Sequence, residues 1–91
     1  GGEEFVCVLP ETDEDGAQVI AERVRMDIAE RPFSLSNGDE IDVTVSIGIA
    51  THHAGDQADT PPRLLKRADE ALYAAKSGGR NRVVPQTALA A

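Results

Sequence analysis

The stretch VTVSIGIA, residues 43–50, carries the clearest structural signal in the chain. It continues a pattern that begins at Ile41, in which a branched apolar side chain takes every second position and small or polar residues take the others. A period of two places alternate side chains on opposite faces of a β-strand. The pattern therefore predicts a strand over residues 41–49 with one apolar face and one small or polar face.

Apolar residues at helical spacing occur on both sides of that strand. A helix is predicted from about residue 13 to residue 30, with Thr12 in the position that caps its N-terminus. A second helix is predicted to begin after Thr60 and to end at the Gly78-Gly79 pair, since glycine commonly terminates helices.

Shorter signals complete the order of elements. The apolar run at residues 5–9 predicts a mostly buried strand, Asn37-Gly38 predicts the turn of a hairpin, and Val83-Val84 predicts a final short strand. Residues 85–91 are predicted to be a disordered tail. The order strand, helix, hairpin, helix, strand predicts an α/β or α+β fold in which helices flank a sheet.

The composition restricts the classes of partner. The 91 residues include 9 Lys or Arg and 16 Asp or Glu, for a formal net charge of −7, and aromatic residues make up 3%. Nucleic-acid backbones need clustered cations and single strands need stacking aromatics, so nucleic acid is excluded as the main partner. No apolar run approaches the length of a membrane span, so we expect no membrane contact from this segment. The single cysteine, Cys7, fits a reduced core residue of a cytoplasmic protein.

The first four residues are candidates for a nucleotide site. Gly1 and Gly2 would let a ligand approach the backbone closely, and the adjacent carboxylates of Glu3 and Glu4 offer oxygen ligands for a hard cation such as Mg²⁺. The alternative is a hairpin turn with solvated acidic side chains.

The predicted end of the second helix is another candidate. Lys76 would act as a point charge toward a phosphate, and the Arg80 guanidinium would bind two phosphate oxygens. The alternative is that basic residues merely complement the helix dipole beside a glycine cap. His52 and His53 have no further ligand at metal spacing, which favours a solvated loop.

Three blocks of the sequence, in this order, resemble the GGDEF family of diguanylate cyclases. The blocks are GGEEF at residues 1–5, VTVSIGIA at 43–50, and LKRADEALYAAK at 65–76 followed by GRN at 79–81. Three independent blocks with fitting separations are far more specific than any one of them. The resemblance covers residues 1–84 and is strongest toward cyclases of the PleD response-regulator type.

The resemblance implies a palm-like fold, as in nucleotidyl cyclases, and a specific reaction. Two GTP molecules, one on each of two facing domains of a homodimer, condense to cyclic di-GMP and two pyrophosphates. Each 3′-hydroxyl attacks an α-phosphorus, and Mg²⁺ or Mn²⁺ acidifies that hydroxyl and neutralises the leaving group. The catalytic and metal-binding positions of the family signature match Glu3 and Glu4.

The resemblance also implies which residues bind nucleotides. Gly1 and Gly2 match family positions that leave space for the nucleotide, and Lys76 and Arg80 match family positions that bind the triphosphate. Arg23 falls where the family places one arm of a product-binding inhibitory site. The alternative for Arg23 is an ordinary ion pair on the helix surface.

These residues resemble the second half of the family's domain. In the family, a preceding segment carries the other metal ligand and the residues that read guanine. Two alternatives to an active cyclase stay open. One is a catalytically silent GGDEF-like module that binds GTP or cyclic di-GMP or mediates dimerisation, and the other is a structural half-domain. The intact residues 1–4 favour the cyclase, since silent versions usually lose the acidic position or the glycines.

The isolated chain is expected not to turn over GTP, because a metal held by Glu3 and Glu4 would lack the upstream aspartate that completes its ligand set. Incubation of the 91-residue chain with GTP and Mg²⁺, followed by chromatography for cyclic di-GMP, measures this. We expect no product above that of an enzyme-free sample. Formation of cyclic di-GMP by the isolated chain would contradict the expectation.

Overall fold

The computed structural model describes residues 5–89, in which helices pack on short strands. The helices are α1 (Glu14–Glu30), α2 (Pro61–Ser77) and a 3-10 helix, Gln86–Leu89. The strands are β1 (Phe33–Ser34), β2 (Glu40–Ile41), β3 (Ile47–Ile49) and β4 (Val83–Pro85). This arrangement confirms the predicted α/β class.

A βαβ unit made of β3, α2 and β4 lies at the centre of the fold. The two strands run parallel, with Ile47 opposite Val83 and Ile49 opposite Pro85. Parallel neighbours cannot be joined by a tight turn, so a crossover must connect them, and α2 supplies it. The second predicted helix is therefore the connection that makes β4 a neighbour of β3.

The two long helices cover opposite faces of the β3–β4 pair. Ile49 is buried with Ala17 and Ala21 of α1, and Ile47 packs against the same cluster. Between these two isoleucines, Gly48 faces the backbone of α2. Alternate residues of a strand point to opposite faces, so α1 lies on one side of the strands and α2 on the other. The apolar face and the small-residue face predicted for this strand are both present at β3.

Small residues allow α2 to approach β3 very closely. Ala71 and Ala75, on the inner side of α2, are fully buried. A Cβ atom placed on Gly48 would lie 2.5 Å from the carbonyl oxygen of Ala68 and 2.7 Å from the Cα of Leu72. No side chain separates the helix from the strand at this point, so their backbones are in direct contact.

The N-terminus of α1 is capped by Asp13 and not by the predicted Thr12. The Asp13 Oδ1 accepts a hydrogen bond of 2.8 Å from the amide of Gly16. The Thr12 hydroxyl donates to the carbonyl of Pro10 at 3.0 Å, so it caps the preceding turn instead. Both residue types are good caps, and a carboxylate also gains from the positive end of the helix dipole.

The ends of α2 agree with the prediction. The Thr60 hydroxyl accepts a hydrogen bond from the amide of Arg63 at the N-terminus. At the other end, the amide of Gly78 donates to the carbonyl of Ala74 at 2.9 Å. In the described part of the chain, no helix combines the length and the apolar character that crossing a membrane requires.

The hairpin predicted at Asn37-Gly38 is present as the antiparallel pair of β1 and β2. The amide of Gly38 donates to the carbonyl of Leu35 at 3.0 Å, and Gly38 has a φ of 90°. The Asn37 Oδ1 accepts a hydrogen bond of 3.0 Å from the amide of Asp39. Glycine supplies the left-handed conformation and asparagine supplies a side-chain acceptor, which are their usual roles in turns.

The long strand predicted over residues 41–49 is interrupted in the structure. Strand β2 ends at Ile41 and β3 begins at Ile47. Within residues 5–89, the segment 42–46 pairs with no other strand. The alternating pattern is real, but a strand also needs a neighbour to receive its backbone hydrogen bonds.

The prediction of a mostly buried strand over residues 5–9 is wrong, because this run also lacks a neighbouring strand among the described residues. The side chains of Phe5, Val6 and Val8 are 87%, 73% and 79% exposed, and Cys7, expected in the core, is exposed as well. Of this run, Leu9 packs against the core cluster. No described residue forms a strand beside this run.

The tail predicted to be disordered over residues 85–91 is ordered in its first part. Pro85 belongs to β4, and Gln86–Leu89 form the 3-10 helix. The Thr87 hydroxyl donates to the carboxylate of Glu14 at 2.8 Å, which ties the tail to the start of α1. The two residues are 73 positions apart, so no local sequence pattern marks their contact.

Replacing Gly48 with alanine is expected to destabilise the fold by about 3 kcal/mol, because contact with backbone atoms cannot be relieved by rotating a side chain. Chemical denaturation followed by circular dichroism measures the free energy of unfolding. Gly55→Ala is the matched control, since Gly55 has a φ of 88° but open space at its Cβ position. We expect the control to lose about 1 kcal/mol from its backbone conformation alone. Equal losses in the two variants would contradict the close contact of α2 with β3.

Candidate functional site

The predicted site residues divide into those that the structure describes and those that it does not. Four lie outside the described residues: Gly1, Gly2, Glu3 and Glu4. Three are described: Arg23, Lys76 and Arg80. Within residues 5–89, no group of three or more His, Cys, Asp or Glu side chains is arranged to hold a metal ion.

Residues 78–81 make up most of the connection between α2 and β4 and are named the α2–β4 turn; their four backbone amides all donate within the protein. The first three amides donate to carbonyls in the last turn of α2, at 2.9, 3.4 and 3.0 Å. The fourth amide, that of Asn81, donates to the hydroxyl of Ser46 at 3.1 Å. An anion at this turn must therefore be held by side chains. This differs from a helix N-terminus, where free N–H groups bind the anion.

Three consecutive residues of the α2–β4 turn have positive φ angles. The values are 126° for Gly79, 64° for Arg80 and 47° for Asn81. Glycine enters this region freely and asparagine tolerates it, whereas arginine pays a steric cost. Such a conformation persists only where surrounding contacts hold it, and it is common at ligand sites.

Three basic side chains belong to the turn and its flanks. Lys76 is half-buried in the last turn of α2, and Arg80 is exposed. The Arg82 Nε donates to the carbonyl of Arg80 at 3.1 Å. Its guanidinium lies over the glycines, because a Cβ atom on Gly79 would be 2.5 Å from Arg82 Nη2. Arg82 is not among the residues predicted from the sequence, where only its basic character beside the GRN block marks it.

Asn81 ties the α2–β4 turn to α1. Its Oδ1 accepts a hydrogen bond of 2.8 Å from Arg25 Nη1. Arg25 also forms a two-pronged ion pair with Glu22, in which Arg25 Nε lies 2.9 Å from Glu22 Oε2. The hydrogen bond from Arg25 holds the pKa of Glu22 below its usual value, and Glu22 in turn raises the pKa of Arg25. Both groups are therefore charged at neutral pH, and the pair orients Arg25 toward Asn81.

Arg23 lies away from the α2–β4 turn. It is exposed on α1, two residues before Arg25, and two residues correspond to about 200° around a helix. Since Arg25 contacts Asn81, Arg23 points away from Asn81 and lines a shallow groove with Val19, Met26 and Glu22, the ion-pair partner of Arg25. The predicted product-binding residue thus lies on a different side of α1 from the residue that contacts the α2–β4 turn.

The two histidines lie in the loop between β3 and α2. The Nδ1 of His52 is 2.9 Å from Asp59 Oδ2, and Arg67 Nη2 is 2.6 Å from the same oxygen. Arg67 Nη2 also donates to the carbonyl of Thr51 at 3.1 Å. Arg67 therefore fastens the loop to α2, and His52 contacts the same carboxylate from within the loop. His53 takes no part in these contacts and is exposed.

One protein family matches most of this chain. The sequence model described as "Diguanylate cyclase, GGDEF domain" matches residues 1–82. This chain therefore belongs to the GGDEF domain family. The match confirms the resemblance that the three sequence blocks indicate.

Curated relatives of the chain are much longer proteins. The chain is 48% identical over 89 residues to "Response regulator PleD" of Caulobacter vibrioides, an alignment that covers 97% of this chain and 19% of PleD. It is 46% identical over 84 residues to "Diguanylate cyclase DgcM" of Escherichia coli, which covers 92% of this chain and 19% of DgcM. The chain thus spans about a fifth of the length of these relatives.

A solved structure shares the fold of this chain. It is the GGDEF domain of DgcB from Caulobacter crescentus in complex with c-di-GMP, with a TM-score of 0.76 and 31% sequence identity. The similarity covers 86% of this chain and 44% of that chain. It supports the α/β class that the element order predicts.

The loop fastened by Asp59 is expected to weaken in acid. The hydrogen bond from Arg67, followed by that from His52, holds the pKa of Asp59 below its usual value. A carboxylate with a lowered pKa in the folded state stabilises the fold above its unfolded pKa, about 4, and the contribution is lost as the pH falls through the folded pKa. Urea denaturation at pH 7 and pH 3 measures this loss.

Asp59→Asn is expected to be less stable than the unmodified chain at pH 7, with a difference that shrinks at pH 3. Asp69→Asn is the matched control, because Asp69 is exposed on α2. A difference between Asp59→Asn and the unmodified chain that stays constant with pH would rule out this role of the Asp59 charge.

Proposed function

We propose that this chain is the second half of a diguanylate cyclase domain, which condenses two GTP molecules to cyclic di-GMP and two pyrophosphates. The observation that carries the proposal is the α2–β4 turn, where Lys76 and Arg80 flank a pair of glycines and the backbone amides are already engaged. Membership of the GGDEF family, and the name of the relative DgcM, support the same reaction.

The triphosphate would be bound at this turn by side-chain charge. The C-terminus of α2 carries the negative end of the helix dipole, which by itself repels an anion. Lys76 supplies a point charge against it, and Arg80 supplies a planar guanidinium that binds two phosphate oxygens. Because the chain has a net charge of −7, this local group of cations would direct an anionic nucleotide to the turn.

The metal would be held by Glu3 and Glu4. Their adjacent carboxylates suit Mg²⁺ or Mn²⁺, which prefer hard oxygen ligands. When bound, the ion would make the 3′-hydroxyl more acidic and offset the charge of the departing pyrophosphate. Gly1 and Gly2 would leave space for the nucleotide beside these carboxylates.

The reaction requires two domains, since each would bring one GTP and the two 3′-hydroxyls attack reciprocally. We therefore propose a homodimer of complete domains as the active form. Arg23, on the far side of α1 from Asn81, would bind the cyclic di-GMP product in an inhibitory site. Separation of this residue from the α2–β4 turn fits a product site distinct from the substrate site.

A chain extended upstream by the other half-domain is expected to form cyclic di-GMP from GTP and Mg²⁺, as measured by chromatography and mass spectrometry. Glu3→Ala should lower the rate about a hundredfold, because it removes a metal ligand. Arg80→Ala should raise the KM for GTP about tenfold, because a two-pronged phosphate contact is lost. Arg63→Ala is the matched control, an exposed arginine at the opposite end of α2, and should leave both values unchanged.

Two other outcomes would overturn the cyclase proposal. A folded, extended chain that binds GTP or cyclic di-GMP without making product would be a silent binding module. A folded, extended chain with neither binding nor turnover would leave only a structural role.

A further inference from the structure

Asn81 connects three parts of the fold. Its amide donates to the hydroxyl of Ser46, in the segment before β3, and its side-chain oxygen accepts from Arg25 of α1. Arg25 is itself held by the ion pair with Glu22, and its side chain is only 19% exposed. Neither Ser46 nor Arg25 belongs to α2. Asn81 therefore fastens the α2–β4 turn both to α1, on the opposite face of the sheet, and to the residue that directly precedes β3.

We propose that Arg25 and Asn81 are positioning residues that hold Arg80 in the geometry that binds phosphate. The inference rests on the proposed function, which assigns Arg80 to the triphosphate. It adds to the site two residues that act through Arg80. One is the neighbouring Asn81, and the other is Arg25 of α1, which lies 56 positions before Asn81 in the sequence.

The backbone of Arg80 explains why it needs such support. Its φ of 64° is unfavourable for arginine, and the next residue is also left-handed. The amide of Arg80 donates to the carbonyl of Ala75 at 3.0 Å, which holds the turn from the side of α2. Asn81 holds it from the side of α1 and Ser46. A cation whose backbone is fixed before binding loses less conformational freedom when a ligand arrives.

Helix α1 has an apolar contact with the sheet that does not involve Arg25. Ala17 and Ala21 already bury α1 against Ile49, and Ala21 lies one helical turn before Arg25. Loss of the Arg25 side chain should therefore disturb the α2–β4 turn more than the packing of α1. A defect in GTP binding without a loss of thermal stability would then indicate a positioning role and not a general structural one.

The first test is Arg25→Ala in the complete domain, with Arg63→Ala as the matched control. We expect Arg25→Ala to raise the KM for GTP about tenfold, which is the size of effect expected when one charge-assisted hydrogen bond is lost. We expect kcat to stay within about threefold of the unmodified value. The midpoint of thermal unfolding should stay close to that of the unmodified domain. An unchanged KM would overturn the inference, and so would a fall in kcat that simply follows a loss of folded protein.

Two substitutions of Asn81 separate its backbone role from its side-chain role. Asn81→Gly keeps access to a φ of 47° but removes the acceptor for Arg25. Asn81→Ala removes the same acceptor and also makes a positive φ costly. We expect Asn81→Gly to raise the KM for GTP about as much as Arg25→Ala does, and Asn81→Ala to raise it at least as much. An unchanged KM in Asn81→Gly would overturn the inference.

A double-mutant cycle with Arg80→Ala tests whether the two residues act through Arg80. In the Arg80→Ala background, Asn81→Gly and Arg25→Ala should cause no further rise in KM. Additive effects would overturn the inference while leaving the proposed function in place. If Arg80→Ala itself leaves the KM unchanged, the assignment of Arg80 to the triphosphate fails first, and the inference fails with it.

Discussion

Direct contact between the backbones of α2 and β3 at Gly48 fixes how closely this helix lies against the sheet. A Cβ atom there would meet the backbone of Ala68 and Leu72, so this position admits only glycine at the observed distance. The close contact is framed by the fully buried Ala71 and Ala75. Because α2 lies so near β3, the turn at its C-terminal end reaches the segment before that strand, where Asn81 bonds to Ser46.

The same geometry decides how the α2–β4 turn can bind an anion. Its amides close the end of α2 or bond to Ser46, so the turn has no free N–H groups to offer. An anion bound there would be held by basic side chains, for which we propose Lys76 and Arg80, against the negative end of the helix dipole and within a chain of net charge −7. Binding of this kind depends on where the backbone places each cation, so the contacts of Asn81 with Arg25 and Ser46 bear directly on the proposal.

Local patterns predicted the parts of the fold that local chemistry determines. Thr60 and Gly78 bound α2 as the sequence indicates, and the hairpin at Asn37-Gly38 is present. The strand predicted at residues 5–9 fails because pairing needs a partner that its own residues cannot supply. The proposed site shows the same division between local and long-range features. The place of Lys76 and Arg80 beside the glycines, together with the family resemblance, predicts a phosphate site there. The bond between Arg25 and Asn81 spans 56 positions and leaves no local pattern.

A crystal structure of the complete domain bound to Mg²⁺ and a non-hydrolysable GTP analogue would show where the triphosphate binds. We expect the Arg80 guanidinium to lie within hydrogen-bond distance of the triphosphate oxygens, with Lys76 beside it, and Asn81 still to accept a hydrogen bond from Arg25. A triphosphate bound elsewhere, with Arg80 and Lys76 in solvent, would contradict the proposal that the α2–β4 turn binds phosphate.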